Sequence, residues 1–144
     1  MYSAFSFLAI STSLLLINGR AIEVIKVEYD DNINLSQILS IFFSTHDPTS
    51  INRQGADVGT QYRSAIFCNH HERNKIVDFI KDLEAKNIFT DKIVTEVNNI
   101  VPFYIAEEYH HDYFTKNPQN AYCQAVINPK LTKLRSIFSN LISE

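Results

Sequence analysis

Hydrophobic and polar positions along this chain follow two rhythms, and each rhythm predicts a kind of element. Residues 22 to 29 alternate, with Ile22, Val24, Lys26 and Glu28 on one side and Glu23, Ile25, Val27 and Tyr29 on the other, as a strand requires. The second set is the more apolar, so Glu23 is expected on the apolar face at the strand's beginning. Leu35, Ile38, Leu39 and Phe42 then fall at helical spacing, with Asn34 or Ser36 as the cap. Asp47-Pro48 ends that helix, because the residue before proline is driven out of the α region.

A polar loop runs from Asp47 to Gln61, and Tyr62 to Phe67 reads as a short buried strand. A second helix is predicted over 71–87, capped by Asn69 or His70 and closed by Asn87. Its buried stripe is Ile76, Phe79, Ile80 and Leu83. Further on, 92–97 and 101–105 suggest two strands around a turn at Asn98-Asn99. A short helix over 106–116 carries Tyr109 and Tyr113 on one face and stops at Asn117-Pro118. Tyr122 to Ile127 reads as a last short strand, and 131–142 as an amphipathic helix. No repeat, low-complexity tract or linker interrupts the pattern, so one mixed α/β domain is expected.

Composition narrows the function. The chain has 144 residues, enough for one domain with a real core. Sixteen acids against 13 bases, with no Lys/Arg block, argue against a nucleic-acid partner. Two cysteines, Cys68 and Cys123, are too few for a disulfide scaffold and fit a reducing, cytoplasmic setting or a small redox role. Residues 1–18 are apolar, rich in Ser and Thr, and uncharged. They lack the basic start of a secretory signal and are short for a membrane span. The readings open for them are a signal or anchor, and a leader that packs as a poor helix or strand.

The polar stretch from His46 to Phe67 holds two of the three glycines and is dense in groups that turn, donate and accept. Such a loop is a functional loop more often than a bare linker. Gly59 suggests a sharp bend that would let Asp57 and Tyr62 turn toward one spot. The alternative is that Asp57 caps a turn and Tyr62 packs with its hydroxyl at the rim. Glu23 is either a strand-end carboxylate reaching solvent or a partly desolvated acid able to donate a proton near neutral pH. The pairs His70-His71 and His110-His111 point about 100° apart on a helix, which disfavours a shared metal ion.

The wording HDPT-x-x-NRQG-x-DVG-x-QYRSAIF over 46–67 resembles the signature of the A-type peptide methionine sulfoxide reductases (MsrA). Further blocks are similar to the family in the same order: EVIKVEYD at 23–30, IVTEV at 93–97, FYIAEEYHHDYF at 103–114, KNP at 116–118, YC at 122–123 and INPKLTKLR at 127–135. The resemblance covers about residues 23 to 138. It implies an α+β fold in which helices flank a mixed sheet with a ferredoxin-like core. It also implies a thiol-dependent peptide-methionine (S)-S-oxide reductase that needs no bound cofactor or metal. Its partners would be proteins carrying methionine sulfoxide, and thioredoxin or another dithiol as reductant.

By the same resemblance Glu23 takes the proton donor's place. Asp57 and Tyr62 take those of the polar groups around the sulfoxide oxygen, and Cys123 that of the resolving thiol. The family's nucleophile lies in a GCFW motif that has no counterpart here, and the chain holds no tryptophan. The expected organisation is a non-matching leader at 1–18 and a domain at 19–144, with the family's first strand and helix missing or replaced. Such a chain is expected to be inactive alone, its GCFW half coming from a separate chain. The alternative is a non-catalytic remnant, or a fragment that binds methionine-sulfoxide peptides.

Overall fold

The computed structural model describes residues 2–3, 13–17, 20–29, 31–102, 104–105 and 116–139. The expected helix over 106–116, with Tyr109, Tyr113 and the His110-His111 pair, lies outside the described residues apart from Lys116, as does the chain beyond 139. Among the described residues the strands are β1 (Tyr2–Ser3), β2 (Ser13–Ile17), β3 (Arg20–Lys26), β4 (Arg53–Gln54), β5 (Asp57–Val58), β6 (Ala65–Cys68), β7 (Glu96–Asn99) and β8 (Tyr104–Ile105). The helices are α1 (Leu35–Thr45), α2 (His70–Ala85) and α3 (Asn128–Ile137). A 3₁₀ turn spans Thr60–Tyr62 and a π-helical turn spans Cys123–Ile127.

Six strands form one sheet in the order β7-β6-β1-β3-β2-β8, and β4 pairs with β5 as a separate hairpin. β6 and β7 are parallel with Ala65 opposite Glu96, and α2 makes the crossover between them. The other pairings in the sheet are antiparallel, so the sheet is mixed, as expected. The described part of the apolar leader enters this sheet as β1 and β2. β1 lies between β3 and β6, and β2 pairs along β3 with Leu14 opposite Glu23.

β6 is buried on both faces and sits at the centre of the packing. Its Ile66 and Cys68 pack with Leu39, Phe42 and Phe43 of α1, Ile76 of α2, and Ile93. Its Ala65 and Phe67 face the other way and join Ile22 and Val24 of β3. A four-residue strand that is apolar at every position suits a place between two layers. Both flanking helices start on full capping boxes, Asn34 with Gln37 and Asn69 with Glu72.

Ile22 and Val24 of β3 are fully buried, and the side chains of Glu23 and Ile25 lie outside the described part of the structure. Three expectations fail in instructive ways. The third long strand is β7 at Glu96–Asn99, so Asn98 and Asn99 lie in a ladder rather than a turn. Residues 92–95 instead run beside the polar loop, where the Val94 N–H donates to Pro48 O at 2.9 Å. Cys123 to Ile127 is a π-helical turn leading directly into α3, not a strand, and α3 begins at Asn128 rather than 131. Tyr62 closes the 3₁₀ turn and is not part of β6.

Candidate active site

The loop from His46 to Ser64 is held by its own polar side chains. Gln54 is buried, and its amide reads both main-chain groups of Asp47. Its Oε1 accepts from Asp47 N–H at 2.9 Å, and its Nε2 donates to Asp47 O at 3.1 Å. The Asp47 carboxylate accepts from Thr49 N–H at 2.9 Å, from the Thr49 hydroxyl at 2.6 Å, and from the Ser50 hydroxyl. These three donors hold its pKa below the usual carboxylate value against the opposing, and largest, effect of burial.

The β4–β5 hairpin turns at Gly55, whose φ is +60°. It is followed by Gly59 at φ 152° and ψ 158°, a region open essentially to glycine alone. There the Gly59 N–H donates to Asn52 O at 2.9 Å, and the chain reverses into the 3₁₀ turn. Arg63 ties that turn down, donating to Thr60 O at 2.7 Å and pairing with Glu96 at 3.4 Å.

His46 fastens the start of the loop to the fold. A carbonyl can only accept, so Nδ1 carries the proton and donates to Phe42 O at 2.7 Å. Nε2 then accepts from the Ser64 hydroxyl at 2.8 Å, and Ser64 accepts from Thr95 at 2.8 Å. Burial drags the His46 pKa down to about 4, so the ring is neutral at physiological pH.

Against this scaffold the expected site residues fall into place unevenly. Asp57, on β5, is half-buried and accepts from the Tyr122 hydroxyl at 3.4 Å. Its charge also attracts the Lys130 ammonium, which burial pushes down to about 8. Tyr62 is half-buried, and the turn that carries it packs against β3, the strand of Glu23. Among the described residues the Tyr62 side chain makes no hydrogen bond, and none joins it to Asp57. The backbone of Glu23 is described in β3, and its side chain lies outside the described part of the structure.

Both thiols are fully buried and free. Cys68 sits under α2 with Sγ 3.7 Å from Asn98 O, and burial, then the Glu72 carboxylate, pushes its pKa up. Cys123 opens the π-helical turn beside Tyr122. Cys68 is therefore not a poised thiolate.

Two features escaped the sequence reading. Tyr122 reaches Asp57 from sixty-five residues away and Lys130, seventy-three away, feels its charge, and the only local signal was their position in the YC and INPKLTKLR blocks. The second is a cleft of about 550 Å³ formed by the end of α1, the β4–β5 hairpin and α3. It is lined by His46, Asp47, Arg53, Gln54, Lys130 and Lys133 among others, and it does not include Asp57 or Tyr62. Among the described residues no three His, Cys, Asp or Glu side chains are grouped to hold a metal ion. No described helix is long and apolar enough to cross a membrane.

Comparison with known proteins bears on the whole of this arrangement. A family model described as peptide methionine sulfoxide reductase matches residues 16–141, so the match begins inside the stretch taken as a leader. The peptide methionine sulfoxide reductase MsrA of Trichodesmium erythraeum is 51% identical over 123 residues, covering 84% of this chain and 70% of that protein. The MsrA of Campylobacter jejuni is 51% identical over 118 residues, covering 80% and 70%. Among solved structures, reduced Mxr1 from Saccharomyces cerevisiae superposes with a TM-score of 0.66 at 39% identity, over 72% of this chain and 57% of that one.

Proposed function

This chain belongs to the peptide methionine sulfoxide reductase family, and on that premise we propose that it provides the sulfoxide-binding side of a thiol-dependent reductase of methionine sulfoxide in proteins. In this reading an attacking thiolate forms a bond to the sulfoxide sulfur while the S–O oxygen is protonated and transferred to the thiol. Methionine leaves and the thiol becomes a sulfenic acid. A second thiol displaces water from it to give a disulfide, which thioredoxin or another dithiol reduces. Glu23 is the proton donor, Asp57 and Tyr62 surround the oxygen, and Cys123 is the resolving thiol. The free cysteines suit a reducing compartment, so the reaction is assigned to the cytoplasm.

One observation carries this reading best. In a loop where Asp47, Arg53, Gln54 and Arg63 bond to the loop's own main chain, Asp57 and Tyr62 are spared that work. Asp57 has one long hydrogen bond from outside the loop, and Tyr62 keeps its hydroxyl for a ligand.

The attacking thiol is a separate matter. Neither Cys68 nor Cys123 stands in a GCFW motif, and both are buried. The nucleophile is therefore assigned to a GCFW-bearing segment that lies outside these 144 residues. Loss of a covalent nucleophile costs on the order of 10⁶ in rate, which a binding pocket cannot restore. The 144-residue chain alone is expected to show no thioredoxin-dependent turnover of a methionine sulfoxide peptide, and adding a GCFW-bearing half should restore it. Turnover by the chain alone, abolished by Cys68→Ser or Cys123→Ser, would overturn this assignment. The burial of both thiols also favours a second reading, a fragment that binds such peptides without reducing them. Peptide binding with no activity in the mixed halves selects it.

A further inference from the structure

The cleft between α1, the β4–β5 hairpin and α3 takes no part in the chemistry above, yet its lining is chemically one-sided. Arg53, Lys130 and Lys133 face one carboxylate, that of Asp47, which is already occupied by Thr49 and Ser50. His46 on the same wall is neutral. Among the described residues no carboxylate forms an ion pair with Arg53 or Lys133. Ser44 and Ser50 add hydroxyls, and Leu134 gives the cleft an apolar patch. Three cations converging on a concavity of this size make an environment for an anion with a short aliphatic stem.

Position narrows the ligand. Gln54 lines the cleft and pairs across the β4–β5 hairpin with Asp57, so the cleft borders the proposed sulfoxide pocket. We propose that this cleft is a subsite for an acidic side chain of the substrate peptide, a Glu or Asp flanking the methionine sulfoxide. The proposal rests on the reading of Asp57 and Tyr62 as sulfoxide-binding groups. It makes acidic sequence context a determinant of substrate choice.

The test uses the full chain and three labelled peptides of identical length, followed by fluorescence polarisation. One carries methionine sulfoxide flanked by Glu, the second the sulfoxide flanked by Gln, the third unoxidised methionine flanked by Glu. The Glu sulfoxide peptide should bind about threefold to tenfold tighter than its Gln counterpart, and the advantage should shrink as salt rises. Lys133→Gln, at an exposed position with no hydrogen bond to lose, should remove most of that advantage. Arg53→Gln should do the same, and thermal melts would exclude a loosened hairpin, since Arg53 Nε also donates to Gly55 O at 2.7 Å.

Equal or absent binding of the Glu and Gln peptides, or an advantage untouched by Lys133→Gln, overturns the subsite. Displacement of the Glu peptide by equimolar inorganic phosphate overturns its assignment to a peptide side chain. The third peptide separates the two readings. If it binds as well as the sulfoxide, the sulfoxide pocket fails while the acidic subsite stands.

Discussion

His46 offers the sharpest quantitative test of the scaffold. Its ring is packed 4.3 Å from Phe42, donates from Nδ1 to a backbone carbonyl, and accepts at Nε2 from Ser64. Protonation would place an N–H where Ser64 now donates, and Ser64 would have to turn its own hydrogen toward Thr95, which is already donating to it. Burial opposes the charge as well, and the folded pKa falls to about 4 from an ordinary 6.5. The unfolded chain therefore binds a proton below about pH 6.5 that the folded chain refuses until about pH 4. Stability is complete above that window, is lost as pH falls through it, and loses nothing more from this group below it. The gap between the two values amounts to about 3 kcal/mol, most of it reached by pH 4.

The perturbation is His46→Gln, which keeps a polar side chain that does not titrate. Urea unfolding midpoints for both proteins, taken between about pH 7 and pH 4, give the stability difference at each pH. Asp47 and the other carboxylates titrate in both proteins, so most of their contribution cancels in that difference. At neutral pH the variant should be the less stable by about 1 to 3 kcal/mol, for the lost pairing of Phe42 O and Ser64. The difference should narrow by about 2 to 3 kcal/mol on acidification, because only the parent loses the histidine's contribution. A difference that stays flat within about 0.5 kcal/mol would mean His46 titrates near its ordinary value, and the buried chain from Phe42 to Thr95 would be refuted.

Other positions test the loop and the thiols. Gly59→Ala should cost about 1 to 3 kcal/mol in urea unfolding, since φ 152° with ψ 158° strains any side chain and the new Cβ meets the Gln61 amide. An unchanged midpoint would refute that backbone geometry. Gln54→Ala removes the partners of both main-chain groups of Asp47 at the loop's entrance and should cost about 1 to 3 kcal/mol, whereas a surface glutamine would cost under about 0.5. Native Cys68 and Cys123 should resist a thiol reagent until denaturant is added, and rapid stoichiometric labelling of the folded chain would contradict their burial.

The elements whose local signals agreed were legible in the sequence. α1 and α2 combine an Asn cap, a glutamine or glutamate three residues on, and an apolar stripe, and each forms as expected. β6 was legible as a buried strand because apolar residues run through it without alternation. β7 was not, because Ile93 and Val94 outrank Asn98 and Asn99 on local preference. The hydrogen bonds from Val94 to Pro48 and from Glu96 to Ser64 hold 92–95 along the loop, and the ladder forms four residues later. The π-helical turn failed for a related reason. Tyr122 to Ile127 reads as β by composition, but it is continuous with α3, which begins at Asn128 and carries Pro129 in its first turn. The cleft and the Asp57–Tyr122–Lys130 cluster join residues far apart in the chain, and no local pattern announces such a meeting.

The same comparison changes what the His46–Phe67 signature means. A string of twenty-two residues shared with a family reads at first as a catalytic motif, yet most of its polar members have structural duties. Asp47 orders the turn after α1, Gln54 holds Asp47, Arg63 holds the 3₁₀ turn, and Ser64 links His46 to Thr95. These residues would be required by any protein that kept the loop in this shape, whatever the loop then did. Resemblance in the signature is thus strong testimony to the fold and weaker testimony to the reaction. The chemical claim rests on the smaller set that the loop does not need for itself. Asp57 reaches out of the loop to Tyr122 and acts on Lys130 through its charge, and Tyr62 is carried against the strand of Glu23. Substitutions divide along that line. Changes at Gln54, Gly59 or His46 should lower stability, and lower ligand binding only as the loop loosens. Changes at Asp57 or Tyr62 should spare stability and remove the preference for the oxidised peptide.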